Sequence, residues 1–515
     1  MEDEFMLNIP KEKFELAEDT DRIRHSPPPA RHVGYFADAW TRFRKNKASI
    51  TASVIIVGII LFSLLTPLFV RGEKVGGLDS YYSKKGPYLS SGLNIPFFDG
   101  GKSRSFNARG LLHIYGISLG ACDGDGTGNV SIKEISDTYK TVLTPTYKVI
   151  GSYEGGRYKA RIDTYAEVGF VYMQLTREEY ANIAAWQDQN NVRVLYPLIA
   201  SNQFNPDIND ANYWYRADTS SKNQPIDLNG NPIKLSENTR LAENYERDAE
   251  GNLVYAKRVG GGDGEALRVR VLYRNYYIYQ NGAPPSFILG TDSQGYDLAL
   301  RLSEGIRLSL FISVTVSLIN FLIGAVYGAI EGYFGGLPDL ILERIADVLA
   351  CVPFIVVATL FQLHLSERLG KIPSLLFAFV LTGWIAVASR VRTQFYRFKR
   401  QDYVLSARTL GASDARIMLK HIFPNALGTI VTSSVLIIPT VILNESMLSF
   451  LGIVNLGSSD TTSLGTLLSE ASNIWTNYPH LMIIPALVIS LLMICFNLFG
   501  NGLRDALNPS LRGVE

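Results

Sequence analysis

Uncharged apolar runs are the strongest pattern along this chain of 515 residues. The first run covers residues 48–70, and five more follow a long polar stretch. A helix of this length spans about 34 Å, enough to cross the roughly 30 Å hydrocarbon core of a bilayer. Six such runs are not typical of a water-soluble protein, so the pattern predicts six transmembrane helices. The five later runs are 308–330, 348–366, 372–389, 422–444 and 481–500.

Basic residues beside the runs predict how the chain is oriented in the membrane. They cluster before the first run, in the loop after the fourth and behind the last. Lys and Arg concentrate on the cytoplasmic side. Both tails, 1–47 and 508–515, are therefore expected in the cytoplasm. The first run is too long for a cleaved signal sequence. The flanking residues are Arg42, Arg44, Lys45, Lys47, Arg390, Arg392, Arg397, Lys399, Arg400, Arg408, Arg416, Lys420, Arg504 and Arg512.

The polar stretch at 72–286 has the composition of a water-soluble domain. It contains 24 acidic and 24 basic residues and 20 of the 27 tyrosines. It is long enough to fold as a unit. The orientation then predicts an extracytoplasmic α+β domain inserted between the first and second spans. The mean hydropathy of +0.09 is thus an average over strongly apolar spans and a polar domain.

Local patterns predict strands and a helix within this inserted domain. Residues 166–173 and 192–199 alternate like strands, and the segment 177–189 between them reads as a helix. Thr176 and Glu179 have the spacing of a capping box at the start of that helix. The order predicts a β-α-β unit, and residues 147–165 read as a hairpin.

One loop of the inserted domain has the spacing of a calcium-binding loop. The sequence DGDGTGNVSIKE at 123–134 offers oxygen ligands at the EF-hand positions, with a glycine at the sixth position. Thr stands at the fifth position, where Asp or Asn is usual. A turn rich in Gly and Asp that binds nothing is the alternative. The candidate calcium ligands are Asp123, Asp125, Thr127, Asn129, Ser131 and Glu134.

The loop between the fourth and fifth spans predicts a helical elbow. Tyr403–Leu410 reads as a short helix that ends at Gly411. Ser413 can cap a second helix, which continues through about Ile422 and ends at Pro424. This elbow is basic and faces the cytoplasm. It is either a docking surface for a partner or a connector held at the lipid headgroups, and the spacing does not distinguish the two.

This elbow resembles the EAA motif of ABC-importer permeases, although Leu405 stands where the family usually has Glu. Further segments are similar to the dipeptide, oligopeptide and nickel permeases, although Tyr296 replaces a usual Arg. The resemblance covers about 30–70 and 286–512, and leaves the inserted domain out. The similar segments are ILGTDSQGYD (288–297), GYFGG (332–336), ESMLSFLG (445–452) and NLFGNGLRDALNP (497–509).

The resemblance implies the permease subunit of an ATP-driven importer, with a type I ABC-importer fold and several spans in a bacterial cytoplasmic membrane. Such a subunit passes peptides, or a related small solute such as nickel, from an external binding protein to the cytoplasm. The implied division is a transmembrane helix at 48–70, the inserted domain at 72–286 and a permease core at 287–507 with a coupling loop at 400–425. The implied ATPase-coupling residues are Ser406, Ala407, Arg408, Gly411, Ala412, Arg416, His421 and Pro424.

The implied partners are a second homologous permease subunit, ABC ATPase subunits, a substrate-binding lipoprotein and the lipid bilayer. The chain lacks a Walker A sequence. ATP and Mg²⁺ are therefore expected in the ATPase partners, and the chain itself is expected to be no enzyme. The net charge of +1 predicts no nucleic-acid partner. The rival hypothesis is a membrane-anchored extracytoplasmic binding or sensor protein.

The predicted spans contain no ionisable residue at mid-depth, apart from the border cases Asp347 and His364. Ionisable residues within a membrane are typical of proton and ion pathways. This pattern therefore argues against a secondary transporter or an ion channel.

Overall fold

The computed structural model describes residues 35–69, 79–89, 98–122, 143–150, 157–205, 209–218, 224–234, 239–260, 266–457 and 461–507. The helices are α1 (Tyr35–Lys45), α2 (Lys47–Phe69), α3 (Ala108–Cys122), α4 (Arg177–Asn190), α5 (Tyr273–Asn281), α6 (Leu298–Phe334), α7 (Gly336–Ala350), α8 (Phe354–Leu369), α9 (Lys371–Gly383), α10 (Ile385–Phe398), α11 (Asp402–Thr409), α12 (Asp414–Arg416), α13 (Phe423–Val435), α14 (Ile437–Phe450), α15 (Leu464–Ala471) and α16 (Pro479–Leu507). The strands are β1 (Gly101–Phe106), β2 (Leu143–Ile150), β3 (Arg157–Asp163), β4 (Phe170–Leu175), β5 (Leu195–Tyr196), β6 (Ala217–Asp218), β7 (Gln224–Pro225), β8 (Ala256–Val259) and β9 (Ala266–Leu272).

Within the described residues, five helical stretches are long and apolar enough to cross a membrane. The count becomes six if the bent pair of α7 and α8 is one span, which agrees with the six predicted runs. The chain is therefore polytopic and helical. The five stretches are α2, α6, Lys371–Phe398 (α9 and α10), Asp414–Phe450 (α12 to α14) and α16.

The third predicted span is not one continuous helix. α7 and α8 meet at a bend of 72°, and Pro353 stands immediately before α8. Proline has no N–H to donate, and its ring disfavours helical geometry in the residue before it. The predicted run 348–366 is therefore interrupted at residues 351–353, and its larger part forms α8. Four of the other five spans run beyond their uncharged limits, because they carry charged residues towards their ends, whereas α2 matches its predicted run to within one residue at each end.

Short strands occupy the segment between α2 and α6, which we call the intervening segment. One sheet has the strand order β1-β3-β2, and its β2–β3 pair confirms the predicted hairpin. The second has the order β4-β9-β5, with β8 paired to β9. A two-stranded β6–β7 sheet completes the described strands.

The predicted β-α-β unit is confirmed, with one change in how its strands pair. The Thr176 side chain accepts the Glu179 N–H while the Glu179 carboxylate accepts the Thr176 N–H, so the capping box is present. Asn191 ends α4 in a left-handed conformation. β4 and β5 do not pair directly, because β9 lies between them and runs antiparallel to both. The second strand is also shorter than the predicted 192–199.

Large aromatic side chains form the core of the intervening segment. Trp214 is fully buried, donates from Nε1 to the Gly116 carbonyl at 2.7 Å and stacks on Tyr245. The buried Arg270 guanidinium lies 3.8 Å from the Phe170 ring centroid and donates to two backbone carbonyls. Large buried rings that each bury an extensive apolar area are typical of a core formed in water.

Small residues, by contrast, set the contact between α6 and α10. Gly324, Gly328 and Gly332 follow each other at one-turn spacing on α6. A Cβ on Gly328 would lie 2.2 Å from the Ala388 carbonyl oxygen, and a Cβ on Gly332 would lie 2.6 Å from that of Arg392. The two helix backbones therefore touch directly, as small residues allow in membrane helices.

One contact joins the start of the intervening segment to the turn just before α6, and another joins the segment to the loop before α16. The Lys85 N–H donates to the Thr291 hydroxyl at 2.8 Å, and the Thr291 N–H donates to the Lys85 carbonyl at 3.0 Å. The Lys102 ammonium donates to the Asn477 carbonyl at 2.6 Å and lies 4.3 Å from the Tyr478 ring centroid. The segment is thus fixed both to the approach of α6 and to the loop before α16.

Candidate functional site

A helical elbow joins the fourth and fifth candidate spans, as the sequence predicts. Gly411 lies between α11 and α12 with a φ of +79°, a conformation that costs other residues energy. The Ala412 N–H donates to the Ala407 carbonyl at 3.1 Å and closes the bend. The order of helix, glycine and second helix is therefore confirmed.

The second arm of the elbow does not end at Pro424. Ser413 precedes α12 in an extended conformation, but its side chain makes no capping hydrogen bond. A π-helical turn at Ile417–Ile422 follows, and α13 continues from it. A proline ring clashes with the carbonyl four residues earlier in α geometry, and the wider turn absorbs this clash. The arm and the fifth span therefore form one continuous helical stretch.

The elbow exposes apolar as well as basic side chains. Leu410, beside the bend, is 88% exposed, and Leu405 and Leu419 are also exposed. All three lie outside the uncharged runs, where grouped exposed apolar side chains are typical of a protein–protein contact. Among the predicted coupling residues, Ser406, Arg408, Gly411, Arg416 and Pro424 are exposed, Ala412 and His421 are half-buried, and Ala407 is buried.

Tyr333, at the end of α6, bridges the two arms of the elbow. Its hydroxyl donates to Asp414 Oδ1 on α12 and accepts from Arg408 Nη2 on α11 at 3.2 Å. The Lys399 ammonium donates to the Gly332 carbonyl at 2.8 Å and to the Tyr333 carbonyl at 3.3 Å. The sequence places Tyr333 inside the GYFGG segment, but nothing in its spacing indicates these partners.

An ionic cluster lies near the same end of α6. Arg392 on α10 donates to Asp339 at 2.7 Å and to Glu343 at 2.8 Å, both on α7. The Tyr396 hydroxyl also donates to Asp339. Sequence reasoning missed this cluster, because its members lie about fifty residues apart. It fixes α7 against α10 beside the elbow.

A buried carboxylate lies inside the fifth candidate span. Glu445 is 1% exposed and accepts hydrogen bonds from Ser309 Oγ at 3.0 Å and from Ser449 Oγ at 3.1 Å. Glu445 lies one residue beyond the predicted run 422–444, so it is a further border case beside Asp347 and His364. The predicted run stopped at residue 444, although the helical stretch continues to Phe450. Glu445 joins α14 to α6.

The GTDSQGYD residues hold the other end of α6. Asp297 caps the helix by accepting the Ala299 N–H at 2.7 Å. Asp292 accepts three successive N–H groups of its own turn. Burial raises the pKa of Asp292 and raises that of Asp297 to about 6. Gly295 has a φ of +97°, and a Cβ there would lie 1.9 Å from the Asp79 carbonyl oxygen.

No group of three or more His, Cys, Asp or Glu side chains in the described part of the chain could hold a metal ion. The candidate calcium loop at 123–134 lies outside the described residues. Calcium binding there stays a prediction.

Comparisons with known proteins cover both ends of the chain. Residues 320–513 match the family described as "binding-protein-dependent transport system inner membrane component". Residues 34–83 match the "N-terminal TM domain of oligopeptide transport permease C". Residues 84–319, which include most of the intervening segment, lie outside both matches.

Two curated relatives come from Bacillus subtilis (strain 168). The oligopeptide transport system permease protein OppC is 42% identical over 44% of this chain and 74% of its own length. The dipeptide transport system permease protein DppC is 39% identical over 46% of this chain and 73% of its own length. A chain from the inward-facing MetNI methionine ABC transporter aligns with a TM-score of 0.34 and 16% identity, covering 40% of this chain and 96% of that one. The identity to OppC over most of its length shows that the chain belongs to the family of inner-membrane components of binding-protein-dependent transport systems.

Proposed function

We propose that the chain is the permease subunit of an ATP-driven importer that passes peptides from an external binding protein to the cytoplasm. Family membership supports the permease role, and the names of the relatives support peptide as the substrate class. The elbow carries the coupling part of the proposal. It combines a glycine-dependent bend, the exposed Leu410 and a continuous helical path into the fifth span.

In this proposal the elbow docks on a separate ATPase subunit. Leu410 enters an apolar groove of the partner, while Arg408 and Arg416 lie at the rim. Since the backbone of Gly411 is exposed and bent, the partner can approach it closely. ATP and Mg²⁺ bind in the ATPase dimer, whose closure moves the elbow. The chain then transmits motion and performs no chemistry of its own.

The proposed orientation puts both termini and the elbow in the cytoplasm. The exposed Arg44, Lys45 and Lys47 around the start of α2 support it. Since the intervening segment follows the first span, this orientation would put it outside the cytoplasm. We propose that this segment caps the outer mouth of the pathway or meets the binding protein. Its contact through Lys102 to the loop before α16 supports this position.

A second homologous permease is proposed to complete the pathway, as the similarity to the permeases of binding-protein-dependent importers suggests. The path itself is proposed to lie between the two permeases. The external binding protein delivers the solute to this pair.

The test is uptake in a strain that lacks the gene for this chain. Radiolabelled oligoalanines of two to five residues are supplied to the deletion strain and to the strain complemented with the full chain. Complementation should restore ATP-dependent uptake, and the chain should co-purify with ATPase subunits. Restored binding at the cell surface without uptake would instead support a membrane-anchored binding or sensor protein.

A further inference from the structure

We propose that Tyr333 is a positioning residue that holds the two arms of the elbow at a fixed angle and ties them to α6. One hydroxyl can serve both arms, because it offers one donor and two acceptor lone pairs. It donates to Asp414 on one side of Gly411 and accepts from Arg408 on the other. The glycine makes the bend possible, and Tyr333 sets its angle.

The surroundings of Tyr333 prevent the ring from swinging away. The residue is 6% exposed and packs in one cluster with Val404, Ile417 and Phe395. Val404 and Ile417 belong to the elbow, whereas Phe395 belongs to α10. The Lys399 ammonium binds the carbonyl of Tyr333 itself. The hydroxyl is therefore presented to the elbow from a fixed backbone.

We call the hydrogen bonds of Tyr333 to Asp414 and Arg408 the clamp. The length and rigid packing of α6 connect this clamp to distant parts of the chain. The helix has 37 residues, about 55 Å at the usual rise, and contacts α10 backbone to backbone through Gly328 and Gly332. Its far end is capped by Asp297 in the turn against which the intervening segment packs. A displacement of the elbow therefore reaches the opposite end of the molecule through one element.

The inference rests on the proposed coupling role of the elbow, and Tyr333→Phe tests it. This change removes the hydroxyl and leaves the ring. In the assembled importer reconstituted in liposomes, we expect uptake of radiolabelled oligoalanine per ATP hydrolysed to fall at least about fivefold, a typical size for a coupling between sites. ATP hydrolysis itself should persist. Tyr327→Phe is the matched control, because its hydroxyl also leaves α6 but binds the Leu342 carbonyl on α7 at 2.6 Å.

A double-mutant cycle separates positioning from general damage. Asp414→Ala should lower uptake per ATP as much as Tyr333→Phe does, and the double variant should be no worse than either. Asp414→Asn keeps an acceptor oxygen and should retain most of the uptake. Additive losses in the double variant would overturn the proposal.

Hydrogen exchange gives a readout that does not depend on the substrate. In the assembled complex, the amides of residues 411–413 should exchange at least about fivefold faster in Tyr333→Phe and unchanged in Tyr327→Phe. Unchanged exchange in Tyr333→Phe would overturn the clamp even if uptake were impaired. If the wild-type complex fails to take up oligoalanines while exchange still responds to Tyr333→Phe, the peptide proposal fails and the clamp stands.

Discussion

The core of the intervening segment and the contact between α6 and α10 are built from opposite kinds of residue. In the intervening segment, large side chains such as Trp214 and Arg270 fill the core. In the spans, Gly324, Gly328 and Gly332 bring two backbones into contact, while Leu318 on the same helix is 57% exposed. At the α6–α10 contact the chain therefore places small residues inside and large residues outside, the reverse of the core of the intervening segment.

The difference follows from the solvent that each region meets. In water, burying a large apolar side chain drives folding. In a bilayer, lipid tails already satisfy such side chains, so helices associate through close packing of small residues. The two regions should accordingly respond in opposite ways to a change in side-chain size.

The largest effect is expected when a small residue at the α6–α10 contact is replaced by a larger one. Gly328→Val places a side chain against the Ala388 backbone, where no rotamer relieves the clash. We expect the folded chain to be lost, measured as detergent-stable protein after purification. Leu318→Ala, on the exposed face of the same helix, should leave the yield nearly unchanged. Equal losses from both changes would break the comparison.

The converse change removes a large residue from the intervening segment. Trp214→Ala should destabilise that segment by about 3–5 kcal/mol, the usual effect of deleting a buried aromatic ring. Hydrogen exchange in the full chain should rise in β5, β6 and the loops around them. Exchange in α6 and α10 should stay slow. Equal acceleration in the spans would show that the two regions unfold together.

The stability of the turn before α6, where the intervening segment meets the spans, should depend on pH. Burial raises the pKa of Asp297 to about 6, so the folded state favours the protonated acid. The protonated Asp297 contributes fully to stability below about pH 4. As the pH rises through 6 this contribution is lost, and the free energy of unfolding falls by at most roughly 3 kcal/mol. Asp297→Asn keeps an acceptor for the cap and carries no charge. Its melting temperature should therefore exceed that of the wild type more at pH 7 than at pH 4.5, and a constant difference would contradict this linkage.

The smallest expected effect lies on the exposed surface of the intervening segment. Thr176→Ala removes the capping oxygen of α4 and should cost about 1 kcal/mol. Faster amide exchange in the first turn of α4 would report it. Thr176→Ser keeps the oxygen and should restore slow exchange. If serine behaved like alanine, the methyl group would matter more than the cap.

The sequence could predict elements whose signals are local. Charge-free runs identified the spans, because a bilayer tolerates few charges along a helix. The Thr176 and Glu179 spacing located α4, because a capping box joins neighbours three residues apart. Gly411 marked the elbow, because its conformation favours glycine.

Features that depend on distant partners could not be predicted. β9 enters the sheet between β4 and β5, a pairing that no local pattern encodes. Tyr333 meets Asp414 across 81 positions of sequence. Glu445 was missed because the limit of the run was taken as the limit of the helix. Pro353 was visible in the sequence, but the 72° bend also needs the packing of α7 against α10.

The central claim is that the elbow couples this chain to an ATPase. Gly411→Trp tests it against Gly452→Trp, because both glycines have positive φ and open space around a Cβ. The backbone strain is thus similar, but only Gly411 belongs to the elbow. In the reconstituted importer, we predict that Gly411→Trp lowers ATP-driven oligoalanine uptake by at least about tenfold, equivalent to about 1.4 kcal/mol of lost coupling, whereas Gly452→Trp retains it. Equal uptake by the two variants would contradict the claim.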